Sequence, residues 1–289
     1  MSKLICNQEK VNDSNIQELI KVCPFGAIEY IGGKIEVNAG CKMCKICIKK
    51  GPTGVMEFIE TKAVQVDKSL WKGIGVYVDH VEGVIHPVTM ELIGKARELA
   101  AVVNFPVYCV FIGYNIKEKA KELLHYGVDE VFVYDYKELE EFRIEPYTAA
   151  FEDFVNKVKP SSLLVGATTI GRSLAPRVAA RFRTGLTADC TILKMKENTD
   201  LVQIRPAFGG NIMAQIVCPN NRPQMSTVRY KVMNAPEKQC DAKGKITICE
   251  MDRAKLASNI EVLKVTKKEA EENISDAEVK DRKSVVRER

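Results

Sequence analysis

The sequence predicts an α/β chain in two parts: a small α+β module, then a doubly wound parallel-sheet domain with an antiparallel extension. Three observations predict it. Five of the ten cysteines (Cys6, Cys23, Cys41, Cys44 and Cys47) fall within the first 47 residues, where glycines and prolines punctuate brief apolar runs. From Gly73 onward, strand-like apolar runs alternate with stretches of helical periodicity, the pattern of parallel strands joined by crossover helices. After Asp189 the alternation stops, and strand-like runs follow one another without helices between them.

Residues 1–60 are the first expected domain, turn-rich and small enough to need a metal staple beside its apolar core. A linker is expected over 61–72, and it carries the single tryptophan, Trp71. The second domain is expected over 73–265. There, 74–78 reads as a strand, 89–103 as a helix and 107–112 as a strand; the helix places Leu92, Ile93, Ala96, Leu99 and Ala100 at helical spacing. Residues 117–125 read as a helix closed by Gly127, 130–134 as a strand, and 148–158 as a helix stopped by Pro160. A strand over 162–166 and a helix over 174–182 follow. The runs 191–195, 201–206, 212–217 and 245–250 are the expected antiparallel strands. Residues 266–289 are expected to be a tail or a truncated junction, since from Lys267 seven acidic and seven basic side chains leave almost no apolar periodicity.

Composition excludes several classes. Apolar residues at 46% and charged residues at 28% exclude wholesale disorder. The net charge of +5, from 43 basic and 38 acidic side chains, forms no basic stripe of the kind nucleic-acid binders carry, and no nucleic-acid partner is expected. The most apolar stretch, 99–113, is broken by Asn104 and Pro106, so no membrane insertion is expected. Polar Asn7-Gln8-Glu9-Lys10 follows the N-terminus directly, without the apolar core of a signal peptide, so a cytoplasmic protein is expected. In that reducing compartment clustered cysteines point to metal rather than to disulfides.

Cys41-Lys-Met-Cys44-Lys-Ile-Cys47 places three thiolates on one tight loop, a spacing suited to wrapping an iron–sulfur cubane. In bacterial-type ferredoxins the fourth ligand comes from a remote Cys-Pro, and Cys23-Pro24 fits that position. An internal repeat agrees: Cys23-Pro-Phe-Gly26-Ala-Ile matches Gly51-Pro-Thr-Gly54-Val-Met at a shift of 28 residues. On that alignment the ligands of a second cluster fall at Asp13, Ile16, Leu19 and Gly51, none of them cysteine. The reading is a ferredoxin-like α+β domain with one [4Fe–4S] cluster on Cys23, Cys41, Cys44 and Cys47. A zinc site is the alternative, although zinc usually pairs two C-x2-C knuckles. Cys6, outside the repeat frame, reads as a buried structural thiol. Lys42, Lys45, Lys49 and Lys50 surround the triplet, either as a solvated face or as positive charge offsetting the cluster.

In the second, Rossmann-like domain, Gly166-Ala-Thr-Thr-Ile-Gly171-Arg172-Ser173 joins a strand to a helix, where a phosphate could sit. It is neither G-x-G-x-x-G nor a P-loop, and a tight structural turn is the favoured reading. Cys109 and Cys190 read as core residues. His80 and His86 have no partner pattern for a nucleophilic triad.

Residues 166–181, then Thr184-Gly-Leu-Thr-Ala-Asp-Cys190, Arg205-Pro-Ala-Phe-Gly-Gly-Asn211 and Arg222-Pro-Gln-Met-Ser-Thr-Val-Arg229, resemble the α subunit of electron-transfer flavoproteins over roughly 73–278. With the N-terminal ferredoxin module, the chain resembles the anaerobic, flavin-bifurcating branch associated with lactate dehydrogenase or caffeyl-CoA reductase. The resemblance implies a heterodimer with a β subunit, in which NADH reduces a flavin that splits its electrons between ferredoxin and an acyl-CoA or hydroxyacid dehydrogenase. It places Arg205 beside an FAD held mainly by the β subunit, where a permanent guanidinium charge would stabilise the anionic reduced flavin; an interface ion pair is the alternative. After Val279 the resemblance implies a second FAD-carrying domain, for which Lys280-Asp-Arg-Lys-Ser-Val-Val-Arg-Glu-Arg289 stands instead. The α-domain FAD site is therefore expected to be absent from this chain. An electron-carrying subunit, a ferredoxin-fused nucleotide-dependent enzyme and a non-redox interface scaffold are the three functions this leaves in play.

Overall fold

The computed structural model describes residues 3–38, 40–59 and 66–266. Contacts divide the chain into two compact units, Met1–Val66 and Asp67–Arg289. The tail residues 267–289 lie outside the described residues, as do 61–65 of the expected linker.

The first unit runs β1 (Lys3–Cys6), α1 (Asp13–Val22), β2 (Ile28–Ile31), β3 (Lys34–Val37), α2 (Ile46–Lys50) and β4 (Met56–Ile59). Strands β1 and β4 pair antiparallel, as do β2 and β3. Helix α1 starts where Asn12 and Asn15 cap each other: the Asn15 N–H donates to Asn12 Oδ1 at 3.0 Å and the Asn12 N–H to Asn15 Oδ1 at 2.9 Å. Two orphan amides of the first turn are satisfied in this way. The repeat read from the sequence has a structural counterpart. Helices α1 and α2 end at residues 22 and 50, and strands β2 and β4 begin at 28 and 56, each a shift of 28. Leu4, Ile16, Leu19, Ile28, Ile35, Val55 and Met56 form the core between the halves.

The second unit runs β5 (Ile74–Tyr77), β6 (His80–Val81), β7 (Val84–Ile85), α3 (Pro87–Val103), β8 (Val107–Gly113), α4 (Ala120–Leu123), β9 (Glu130–Asp135), α5 (Ile144–Val158), β10 (Ser162–Gly166), α6 (Thr169–Arg181), β11 (Leu186–Cys190), β12 (Ile192–Met195), β13 (Leu201–Ala207), β14 (Ile212–Val217), β15 (Gln224–Val228) and β16 (Lys245–Ile248). Seven strands form one sheet in the order β11-β15-β10-β5-β8-β9-β16, every pair parallel. Apolar side chains cover both faces, in two clusters: one under α3 with Val76, Leu92 and Phe111, the other under α5 and α6 with Tyr77, Phe151 and Leu174. Burial on both faces is what a parallel sheet requires, and it explains why these strands read as continuous apolar runs.

The structure changes four expectations. Strands β11 and β15 belong to the main sheet, although their Thr187, Gln224, Ser226 and Thr227 give them no apolar run to read. Residues 245–248 are not antiparallel: β16 pairs parallel with β9 at the far edge. The chain reaches that edge by crossing α3, where Glu91 accepts the N–H groups of Lys231 at 3.1 Å and Met233 at 3.4 Å. Helix α6 begins at Thr169 rather than 174, because the polar first turn hides the start. The helix expected over 117–125 shrinks to Ala120–Leu123 and a 3-10 turn. The antiparallel extension is the three-stranded sheet β12-β13-β14. Trp71, expected in the linker, packs half-buried on the α5–α6 side of the sheet.

Candidate functional site

The loop between β3 and α2 carries three of the four cysteines, and its backbone is unusual. Met43 and Lys45, the residues flanking Cys44, both have positive φ, 52° and 62°. Non-glycine residues adopt that conformation at a cost of about 1 kcal/mol or more each, and they persist where surroundings or function require them. Cys23 reaches the same place from the C-cap of α1. Together Cys23, Cys41, Cys44 and Cys47 line one cavity, walled by Leu4, Ile28 and Ile46 and edged by Phe25 and Lys42. Among the described residues, no three or more of His, Cys, Asp and Glu converge on a point that would hold a single ion. A cubane makes a different demand, since its four irons occupy separate corners and their thiolates ring a cavity.

The donor set suits such a cluster. All four residues are free thiols, and Cys47 is buried while Cys44 is exposed. The Ala27 N–H donates to Cys23 Sγ at 3.4 Å and the Met43 N–H to Cys41 Sγ at 3.5 Å, the kind of contact that tunes sulfur ligands. Burial pushes the Cys47 thiol up, and charge on Cys41, Cys23 and Cys44 adds to the shift, so the four sulfurs share one electrostatic neighbourhood. The second-cluster positions are filled differently. Ile16 and Leu19 lie in the core, and a Cβ on Gly51 would stand 2.4 Å from the Cys47 carbonyl oxygen. Cys6, expected to be buried, is half-buried at the end of β1 in the two-stranded sheet.

In the second unit the carboxyl ends of the parallel strands form the edge where ligands bind in doubly wound folds, at the point where strand order reverses. That point lies between β5 and β10. The turn after β10 is closed: the Thr168 side chain caps the Gly171 N–H at 3.1 Å and donates to the buried Asp79 carboxylate. A Cβ on Gly171 would stand 1.9 Å from the Gly166 carbonyl oxygen, so the helix packs directly on the strand end. Burial raises the Asp79 pKa, with the Thr168 hydrogen bond and the two histidines opposing. A second set of free amides, on Asn115, Ile116 and Lys117, is taken by the Asp135 carboxylate at 2.9–3.3 Å. Both ready phosphate positions are thus occupied by the protein's own side chains, which favours the tight-turn reading. His80 is a buried structural group, holding the Gly83 N–H on Nδ1 at 3.1 Å and meeting the Ile112 carbonyl from Nε2 at 2.7 Å.

Beyond β10, three charged residues meet: Arg172 from the first turn of α6, Asp189 from β11 and Arg229 directly after β15. Asp189, at a bulge in β11 with φ 57°, accepts Arg172 at 3.0 Å and faces Arg229 at 3.7 Å. Sequence reasoning singled out the three segments but not their meeting, which depends on the parallel pairing of β10, β15 and β11 and on the start of α6. Arg205 stands half-buried on β13 and makes no ion pair among the described residues. Its charge tempers the Cys190 thiol, which burial pushes up to about 12. The hairpin beyond Arg205 projects Phe208, 81% exposed, at its tip. Cys109 is a fully buried core residue, as is Cys190.

The fold and its carboxyl edge define the class: a doubly wound α/β domain with an antiparallel hairpin sheet appended. The chain belongs to the electron transfer flavoprotein family, whose domain pattern matches residues 74–254. It is 63% identical to the lactate dehydrogenase (NAD(+),ferredoxin) subunit LctC of Acetobacterium woodii, over 94% of this chain and 65% of that protein. It is 45% identical to the electron transfer flavoprotein subunit alpha of Megasphaera elsdenii over 63% of this chain and 54% of that protein. With the alpha subunit of Thermoanaerobacterium thermosaccharolyticum it shares 41% identity over 68% of this chain and 60% of that protein. The chain thus spans between about half and two thirds of the length of these relatives. Among the described residues, no helix is long and apolar enough to cross a membrane.

Proposed function

We propose that this chain is an electron-transfer subunit of a flavoprotein complex. In this reading residues 1–60 are a ferredoxin-type domain whose Cys23, Cys41, Cys44 and Cys47 hold one [4Fe–4S] cluster. The cluster supplies one-electron transfer between an external ferredoxin and FAD. The second unit, proposed over 73–265, offers its carboxyl edge and Arg205 to an FAD that a β subunit holds. The complex works in the cytoplasm in NADH-linked flavin-based bifurcation, together with an acyl-CoA or hydroxyacid dehydrogenase.

The observation that carries this proposal is the gathering of all four cysteines around one cavity. The match to LctC adds support, since it leaves only 6% of this chain outside and so extends through most of the cysteine-rich unit. That relative's name joins NAD(+) and ferredoxin in one enzyme. The chain's own residues have definite tasks. Apolar side chains wall the cavity, the amides of Ala27 and Met43 donate to two of its sulfurs, and Arg205 presents a guanidinium from β13.

Iron and acid-labile sulfide, measured on anaerobically purified protein, test the proposal. One cubane gives about four of each per chain. About eight would overturn the single-cluster reading, and zinc without sulfide would overturn electron transfer through this unit.

A further inference from the structure

The lysines around the cysteine loop have no role in holding a cluster, and their placement is uneven. Residues 42–50 contain Lys42, Lys45, Lys49 and Lys50 and no acidic side chain. The acidic residues of the unit's described part, Glu9, Asp13, Glu18, Glu29, Glu36 and Glu57, all lie in other segments. The cysteine loop itself thus carries basic side chains and no acidic one. Lys45 is half-buried with its ammonium 3.7 Å over the Phe58 ring, whereas Lys42, Lys49 and Lys50 are exposed. Helix α2 is five residues long, about 7.5 Å at 1.5 Å per residue, so its terminal lysines remain close to the cavity.

The same edge is apolar at its centre. Phe25 and Lys42 line the cavity beside the exposed Cys44; Phe25 is 50% exposed and the neighbouring Met43 42% exposed. An apolar centre with a charged rim is the make-up of transient protein interfaces, in which the rim sets encounter rate and partner sign.

We propose that this edge is the docking surface for a small acidic electron-carrier protein, steered by Lys42 and Lys50 onto the Phe25–Met43–Cys44 side of the cavity. The proposal rests on the electron-transfer reading of the cysteines and adds the place and the charge of the partner. Lys50 follows Cys47 by three residues and so lies next to it along the helix, while Lys49 points elsewhere around the axis. Electrostatic steering of this kind raises association rates and weakens with salt.

The test uses the full chain and a purified bacterial ferredoxin of net negative charge, and measures both its affinity and its rate of reducing the chain, from low to high ionic strength. The expected result is an affinity and a rate that fall with salt, and a loss of about tenfold or more at low salt in Lys42→Glu/Lys50→Glu. Lys34→Glu, at the turn end of the β2–β3 hairpin, is expected to leave both unchanged. Unaltered iron content in all variants shows that the fold and cluster survive. Equal affinities for wild type and the double variant, or an equal loss in Lys34→Glu, would overturn the docking surface. Salt-sensitive binding by a chain without iron would retain the docking surface and overturn the cluster reading instead.

Discussion

Arg222 is the most committed charge in the second unit. Its side chain is fully buried, and it donates to Asp200 at 2.9 Å, to Thr199 and to the carbonyls of Cys218 and Asn221. Asp200 also takes Lys68 at 2.7 Å. Burial pushes the Asp200 carboxyl up, but the hydrogen bonds and charges of Lys68 and Arg222 outweigh it and hold the pKa below the usual value. Asp200→Ala is expected to lower stability by about 3–5 kcal/mol in urea unfolding at pH 7, because it strands a buried guanidinium. A depressed folded-state pKa contributes stability above the unfolded value of about 3.9, lost as pH falls through the folded value. The gap between wild type and Asp200→Asn is therefore expected to narrow below about pH 4. At the proposed cluster, Cys44→Ser is expected to abolish visible absorbance while Cys6→Ser retains it; loss in both would show that the ligand set is misassigned. Arg205→Ala, assembled with a β subunit, is expected to make the flavin harder to reduce, and Arg205→Lys to restore part of the shift.

At the scale of elements, the first unit repeats part of its own layout. The shift of 28 is kept by the helix ends and the strand starts, yet Ile16 and Leu19 have turned their positions into core. Gly51 has gone further, since no side chain fits beside the Cys47 carbonyl. Gly51→Cys is accordingly expected to add no iron and to lower the unfolding free energy measured in urea by roughly 1–3 kcal/mol, as at an overpacked site. The elements also show what a sequence can reveal. The cysteine loop, the repeat, and strands β5, β8, β9 and β10 are legible because spacing or continuous apolar runs mark them. Strands β11 and β15 are not legible, because they are buried through polar residues such as Gln224 and Ser226, whose place depends on tertiary partners. The start of α6 escapes for a similar reason: Thr168 and Gly171 resemble loop residues until the strand end beneath them is seen. The Arg172–Asp189–Arg229 group takes one residue from each of three motifs that carry the resemblance, but their meeting is not legible until the sheet order is known.

Across the whole molecule, the order of strands in the main sheet does not follow the order of the chain. Strand β16 is added last, at the edge opposite β11, after a crossing held on α3 by Glu91 and fitted at Gly94, where a Cβ would stand 2.4 Å from the Asn234 carbonyl oxygen. Until that crossing is complete, β9 is the edge of the sheet, six residues long, with Val131 and Val133 in the core. An unpaired, flat, apolar edge is a template for other chains. A variant ending at residue 240 is therefore expected to self-associate in sedimentation analysis while retaining its helical circular dichroism. Strand β16 thus serves as a molecular selvedge, binding off the edge that β9 would otherwise leave open.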